Sequence, residues 1–325
     1  MRVLRNSNVV IALILVAAMV VIGLINPAFW QLSNIFSLLK ANVVIGLMAL
    51  GVLLIMISGG IDVSFTAFAI AAMYLVVRTM VAIDYDGVIL PFIFATAIGG
   101  LLGLMNAGII HKFHMIPLIV TLGTASLVRG LVLGGVGTSN VNIDEMPPSL
   151  IELGRANIVT LERANGTTFG LTAMILVYAV LAILIHLVLT RTMIGRSVYA
   201  YGADPEAARR VGFKTGRTMI FVYCTAGALA GFAGLLHSSM SWLANPRGFV
   251  GLELDVIAAV VLGGCSIFGG RGSVIGTVLG VFILVMIQNS LILMGIDMTW
   301  QRVVVGGVLI SAVAITALRD RRSPA

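Results

Sequence analysis

Apolar runs of about twenty residues recur from one end of the chain to the other, each long enough to cross a bilayer as a helix. Few folds survive that constraint. In hydrocarbon only α-helices and closed barrels satisfy every backbone N–H and C=O. Barrel strands alternate apolar and polar residues, whereas these runs are continuous, so helices are expected. Of the 325 residues, 59% are hydrophobic and 10% charged, far outside the range of a soluble domain. The chain therefore reads as all-α, a polytopic membrane helical bundle, forming a single transmembrane domain over residues 1–325.

The runs are placed at Val9–Ile25, Asn42–Ile57, Val63–Val81, Val88–Ile110, Pro117–Val136, Phe169–Leu189, Thr218–Met240, Val256–Phe268, Val274–Met294 and Arg302–Leu318. That makes about ten transmembrane helices, one of them too short for a normal crossing. The first run resembles a signal peptide, but it is long and no small-x-small cleavage site follows cleanly, so it reads as a retained span. The net charge of +7 is not gathered into a basic domain for nucleic acid. Its cations cluster at span ends, which is a topology signal. Both termini are expected in the cytoplasm, because Arg2, Arg5, Lys112, the Arg191–Arg217 loop, Arg271 and Arg319 then fall inside. Lys40, Arg78, Arg129, Arg155, Arg163, Arg247 and Arg302 fall outside or near the outer interface, Arg129 as a snorkelling residue. Two polar external segments follow, 137–168 and 241–255. Five spans per half would make the halves inverted repeats, although two Gly-Gly breaks are the only internal likeness.

The basic loop 191–217 interrupts this apolar chain with a capped helix signal. Asp204 suits an N-cap, Pro205 the first turn and Glu206 the positive helix end. Ala207, Ala208, Arg209 and Arg210 carry the pattern on, and Gly212 suits the stop. Such a loop either only sets topology, as most basic loops do, or is a handle that another protein can push.

Two breaks interrupt the spans. In the first, Ser58–Ser64, Gly59 and Gly60 release helical geometry, and Asp62 reads as a cap for a helix starting at Val63. A carboxylate beside a broken helix can also line a polar pathway. The second, Gly251–Gly276, is a half-helix that Asp255 can cap and that dissolves at Gly263-Gly264 and Gly269-Gly270. Its Gly-Gly-Arg-Gly lacks the Lys-Ser/Thr and the preceding strand of a phosphate loop. Cys224, Cys265 and the scattered His111, His114, His186 and His237 offer no disulfide framework, metal spacing or catalytic cluster. Carboxylates and cation pairs within spans are scarce, so the driving force is expected to enter from outside the membrane.

The segments GGIDVS, GADPEAARRVGFKTGR and ELDVIAAVVLGGCSIFGGRGSVIGTVLG, in this order, resemble the permease subunits of ATP-binding-cassette sugar importers. These are of the ribose, xylose, arabinose and galactose type, which also includes autoinducer-2 permeases. The resemblance runs from about Asn42 to Thr316. It implies a multi-pass protein of the bacterial plasma (inner) membrane that moves a monosaccharide or similar small polar solute inward by alternating access. It implies no enzyme activity and no cofactor or metal in this chain, with ATP and Mg used by a cytosolic ABC ATPase. The other implied partners are a second permease copy or paralogue and a periplasmic sugar-binding protein, within a lipid bilayer and without nucleic acid. On this basis Gly195, Arg196, Gly202, Asp204, Pro205, Glu206, Ala207, Ala208, Arg209, Arg210 and Gly212 form the ATPase-coupling loop. Gly59, Gly60, Asp62, Ser64, Phe65, Gly263 and Gly264 are candidates for the translocation pathway. Glu145, Glu152, Arg247 and Glu253 are candidates for binding-protein docking. The chain departs from the pattern at Asp204, where many relatives carry Asn, and at Val63-Ser64-Phe65-Thr66, where many carry Leu-Ser-Val-Gly. The bulky Phe65 bears on the substrate rather than on the family. Alternatives are an ion-coupled secondary transporter, a membrane-embedded enzyme, an autoinducer-2 permease and a branched-chain amino-acid permease. The GGID break and the ELDVIAAVVLGG run argue against the last.

Overall fold

A computed structural model describes residues 7–162 and 166–295, with Asp297, Trp300, Val303, Gly306, Gly307 and Ile310 beyond them. Its long helices are α1 (Ser7–Ile25), α2 (Leu32–Ile57), α3 (Phe65–Ala82), α4 (Ile89–Phe113), α5 (Pro117–Leu131), α7 (Met174–Arg191), α10 (Thr215–Ser241) and α12 (Val274–Leu293). Eight helices among the described residues are long and apolar enough to cross a membrane. The shorter α6 (Pro148–Arg155), α8 (Met193–Ala203), α9 (Pro205–Arg210) and α11 (Leu252–Leu262) lie between them. The expected last span, Arg302–Leu318, falls largely outside the described residues.

The helix α2 is the axis of the bundle. From Leu47 to Ile57 every residue is buried, as befits a helix that is apolar all round. Around it stand α7, α10, α11 and α12, while α3 packs on α10, α4 and α5, and α1 rests on α12 at the periphery. In lipid, apolar surfaces gain little by meeting one another, so contact depends on close backbone approach. The pairing of α4 with α10 is built that way. A Cβ on Gly99 would come within 2.1 Å of the Gly227 carbonyl, and one on Gly103 within 2.1 Å of the Tyr223 carbonyl. Gly231 meets Ala95 in the same manner. Small residues four apart on both helices form the seam.

Three boundaries differ from the sequence reading. The second span begins at Leu32 rather than Asn42, because the helix absorbs its own polar residues. Ser37 Oγ donates to the Ser33 carbonyl at 2.9 Å, and Asn42 Nδ2 to the Leu38 carbonyl at 2.7 Å. The sixth span begins at Met174, since Thr168–Thr172 (β2) pairs antiparallel with Asn157–Glu162 (β1), Leu161 opposite Phe169. The short helix begins at Leu252, inside the segment read as external.

The two polar segments read as external are joined. Val141 and Ala244 exchange backbone hydrogen bonds, each 3.0 Å long. Arg155 lies over the Trp242 ring at 4.9 Å, and Gly154 sits against the Ser239 carbonyl. Asp86, in the turn after α3, accepts the Ser149 N–H at 2.9 Å and so holds the start of α6.

Candidate functional site: a glycine joint below a capped cytoplasmic helix

The loop 191–217 folds as α8 and α9. Thr192 begins α8, its Oγ1 accepting the Gly195 N–H at 3.1 Å. Asp204 then separates the two helices in extended conformation. One of its oxygens, Oδ1, accepts the Glu206 and Ala207 N–H groups at 2.9 and 3.0 Å, so two of the free donors at the start of α9 are satisfied. At the other end Gly212 turns at φ +92°. Its N–H reaches the Arg209 carbonyl, and Phe213 N–H reaches that of Ala208. This is a Schellman closure, which needs a left-handed residue where glycine stands. Both ends of α9 are therefore locked although it has only six residues. Only Ala208 is buried, while Pro205, Glu206, Ala207, Arg209 and Arg210 are exposed. Arg209 Nη2 and Glu206 Oε2 pair at 2.8 Å on its surface.

The root of this projection is where the two sequence breaks converge. A Cβ on Gly202, in the last turn of α8, would stand 1.8 Å from the Ile57 carbonyl at the end of α2 and 2.8 Å from the Gly270 nitrogen. Gly270 N–H donates to that same Ile57 carbonyl at 2.8 Å. Gly269 approaches Gly59 and the Gly202 carbonyl, with a built Cβ meeting them at 2.8 and 2.5 Å. Three chain segments thus touch backbone to backbone. Side chains add ties: Tyr199 O–H donates to the Gly272 carbonyl at 2.9 Å, and Thr218 Oγ1 to Ser197 Oγ at 3.0 Å. The joint therefore ties α8, from which α9 continues, to the end of α2 and to the turn between α11 and α12.

The residues expected along a pathway are mostly packed into or beside this joint. Gly60 lies under Tyr223, and Gly263 lies against the Gly276 carbonyl. Gly264 reverses the chain at φ +81°. Asp62, Ser64 and Phe65 are 3%, 0% and 2% exposed. Asp62 does not cap a helix starting at Val63, since α3 begins at Phe65. Its Oδ1 accepts from Ser64 N–H and Oγ–H at 2.5 and 2.6 Å, and Asn106 Nδ2 donates to Ser64 Oγ at 2.9 Å. The carboxylate thereby fixes the turn between α2 and α3. Glu145, Glu152 and Arg247 are exposed on the outer face. Glu253 is not among them.

Glu253 instead meets Arg129. Arg129 Nη2 donates to Thr66 Oγ1 at 2.9 Å and lies 3.6 Å from Glu253 Oε2. Arg129 is thus held by the first turns of α3 and α11. The half-helix α11 has 11 residues, about 16 Å. Its C-terminal end leads into the turn that carries Gly269 and Gly270, so its first turn lies about half the thickness of a core of about 30 Å from that end. A carboxylate waits there for the guanidinium. Hydropathy could not reveal this meeting, because each residue sits near a span end in sequence.

A family model described as "Branched-chain amino acid transport system / permease component" matches residues 34–313. The chain belongs to this family. It is 34% identical to the ribose import permease protein of Bacillus subtilis, over 94% of this chain and 90% of that one. Against the ribose import permease protein of Escherichia coli K12 it is 29% identical, over 96% and 93%. Against the galactose/methyl galactoside import permease protein of the same strain it is 31% identical, over 98% and 96%. No solved structure matches the chain. The chain is a transport permease with several membrane-spanning helices, a multi-pass protein of the inner membrane.

Proposed function

We propose that this permease imports a monosaccharide, of the pentose or hexose class, as the membrane subunit of an ATP-binding-cassette transporter. The observation that carries the mechanism is the glycine joint, where Gly270 N–H is bonded to the Ile57 carbonyl directly over Gly202. A rigid, exposed helix rooted in such a joint suits a push delivered from the cytoplasm. In this reading α9 sits in a cleft of a separate ATPase, which binds ATP and Mg. ATP-driven closure shifts α8 and α9, and the joint passes the motion to α2 and α11. Two permeases, copies or paralogues, enclose the path between them. A periplasmic sugar-binding protein docks on the joined outer segments, where Glu145, Glu152 and Arg247 are exposed. The sugar substrate is supported by the names of the relatives, ribose and galactose import permeases matched over almost the whole chain.

The test is uptake of radiolabelled ribose, galactose and leucine into proteoliposomes holding the complete transporter with ATP inside or outside. ATP-dependent uptake of a sugar, and not of leucine, is expected. Accumulation by this polypeptide alone under an ion gradient, or ATP-driven uptake of leucine in place of sugar, overturns the reading.

A further inference from the structure

The pair Arg129–Glu253 is half used. Arg129 reaches Thr66 and Glu253 through Nη2, while its Nε is buried without a hydrogen-bond partner. Every contact to Glu253 ends on Oε2, which accepts from Thr66 Oγ1 at 3.3 Å and Gly251 N–H at 3.1 Å besides facing Arg129. A guanidinium and a carboxylate frequently pair through two parallel bonds. Here the two meet through one atom each, at 3.6 Å, and half of their donor and acceptor capacity stays unspent.

Arg129 Nε is shut away from solvent, but the pair as a whole is not closed over. The two side chains keep 26% and 18% of their surface exposed. Leu122, two turns earlier on the Arg129 face of α5, is 51% exposed, and Leu254 beside Glu253 is 63% exposed. The groups thus sit at mid-membrane, on a side of the protomer that nothing in this chain covers among the described residues. Ionisable residues at that depth line substrate pathways far more often than they serve packing alone.

We propose that Arg129, Glu253 and Thr66 form a mid-membrane station that binds adjacent hydroxyl groups of a polyol travelling along α5 and α11. One hydroxyl donates to the free oxygen of Glu253 while its neighbour accepts from the guanidinium, so a neutral diol bridges the pair without breaking it. A zwitterionic amino acid would have to split the pair to satisfy its own two charges. The station rests on the sugar-import reading and names where, within it, the solute pauses. It also gives α11 a part in recognition, since Glu253 stands in the first turn of the half-helix whose other end enters the cytoplasmic joint.

The decisive variant replaces both charges by apolar chains of similar length, Arg129→Met with Glu253→Met. Buried ion pairs replaced in this way are often neutral or better for stability. The complete transporter is reconstituted with its ATPase and binding protein, and ribose and galactose moved per ATP hydrolysed are measured. The double variant is expected to assemble and melt like the parent, yet to move at least tenfold less sugar per ATP. Sugar per ATP within twofold of the parent reduces the pair to a structural bridge and overturns the proposal. If the double variant does not assemble, Glu253→Gln decides, since it keeps the shape and removes the charge. The expected result is again a tenfold fall, with a changed ribose-to-galactose ratio. An unchanged yield and ratio overturn the proposal, and Leu254→Ala serves as the neighbouring control. A parent complex that carries neither sugar fails the import reading first, and the station falls with it.

Discussion

Replacing Gly202 by alanine exchanges a hydrogen for a methyl group where there is no room. The new Cβ would lie 1.8 Å from the Ile57 oxygen and 2.8 Å from both the Ile57 carbon and the Gly270 nitrogen. All three are main-chain atoms, so no side chain can swing away. Reaching ordinary contact requires one of the segments to retreat by about 1.5 Å. Overpacking of this kind costs about 1–3 kcal/mol. The Gly270–Ile57 hydrogen bond would be stretched or lost, worth about 1 kcal/mol more. Against this, alanine favours the helix α8 by about 1 kcal/mol over glycine. The net is a loss of about 2 kcal/mol, concentrated at the joint. Thermal unfolding in detergent measures it, with Gly108→Ala as the internal control. Gly108 is an exposed helical glycine with nothing within 4 Å of its added Cβ, so its variant should match or exceed the parent. ATP-driven uptake should fall with Gly202→Ala and persist with Gly108→Ala. If the two variants melt together and transport alike, the three backbones do not meet as described, and the mechanical account fails with them.

Other consequences follow from the same geometry. Asp204→Ala removes both cap bonds and should destabilise α9 by about 1 kcal/mol, seen as faster hydrogen exchange at Glu206 and Ala207; Asp204→Asn should retain most protection. Glu206→Ala with Arg209→Ala deletes a pair whose side chains are 62% and 69% exposed. Stability should then move by less than about 0.5 kcal/mol, while ATP-driven uptake is abolished with membrane insertion intact; normal uptake rates would remove α9 from the coupling role. The Ser149 side chain, and after it the Ser149 N–H, hold the Asp86 carboxyl below its ordinary value of 3.8. A carboxylate lowered by folding contributes stability that is complete above the ordinary value and is lost as pH falls through the lower folded one. Ser149 amide protection should therefore be flat from neutral pH down to about 4 and fade below it; Asp86→Asn should remove that acid step, and an unchanged step would assign it to another group.

Much of this architecture can be read from the chain because lipid permits so little. Continuous apolar runs announce helices, and the caps of α9 are local, with Asp204, Pro205 and Gly212 each acting within a few residues. Local chemistry also misleads where a helix can satisfy its own polar side chains. Ser37 and Asn42 bond back within α2 and so extend a span that hydropathy cuts short. The β-hairpin was hidden because Phe169 and Leu171 look like the start of a span, and only pairing with Leu161 and Val159 makes them strand. What no linear pattern carries is convergence. Gly59, Gly202 and Gly269 each look like an ordinary break or cap, and their meaning is that they touch. The meeting of Arg129 and Glu253 is illegible for the same reason. A sequence places each by distance to its own span end, whereas the half-helix α11 brings the carboxylate down to where the guanidinium is.

A linkage made of main-chain atoms has a particular economy. At the junction of Ile57, Gly202 and Gly270 the only specification is smallness, so no chemical feature of the cargo is written there. Whatever distinguishes one solute from another can be rewritten higher in the bundle or on the outer face, and the drive train below keeps its dimensions. Grafting the outer segments and recognition groups of one such permease onto the lower half of another should then yield a machine with new tastes and the old engine.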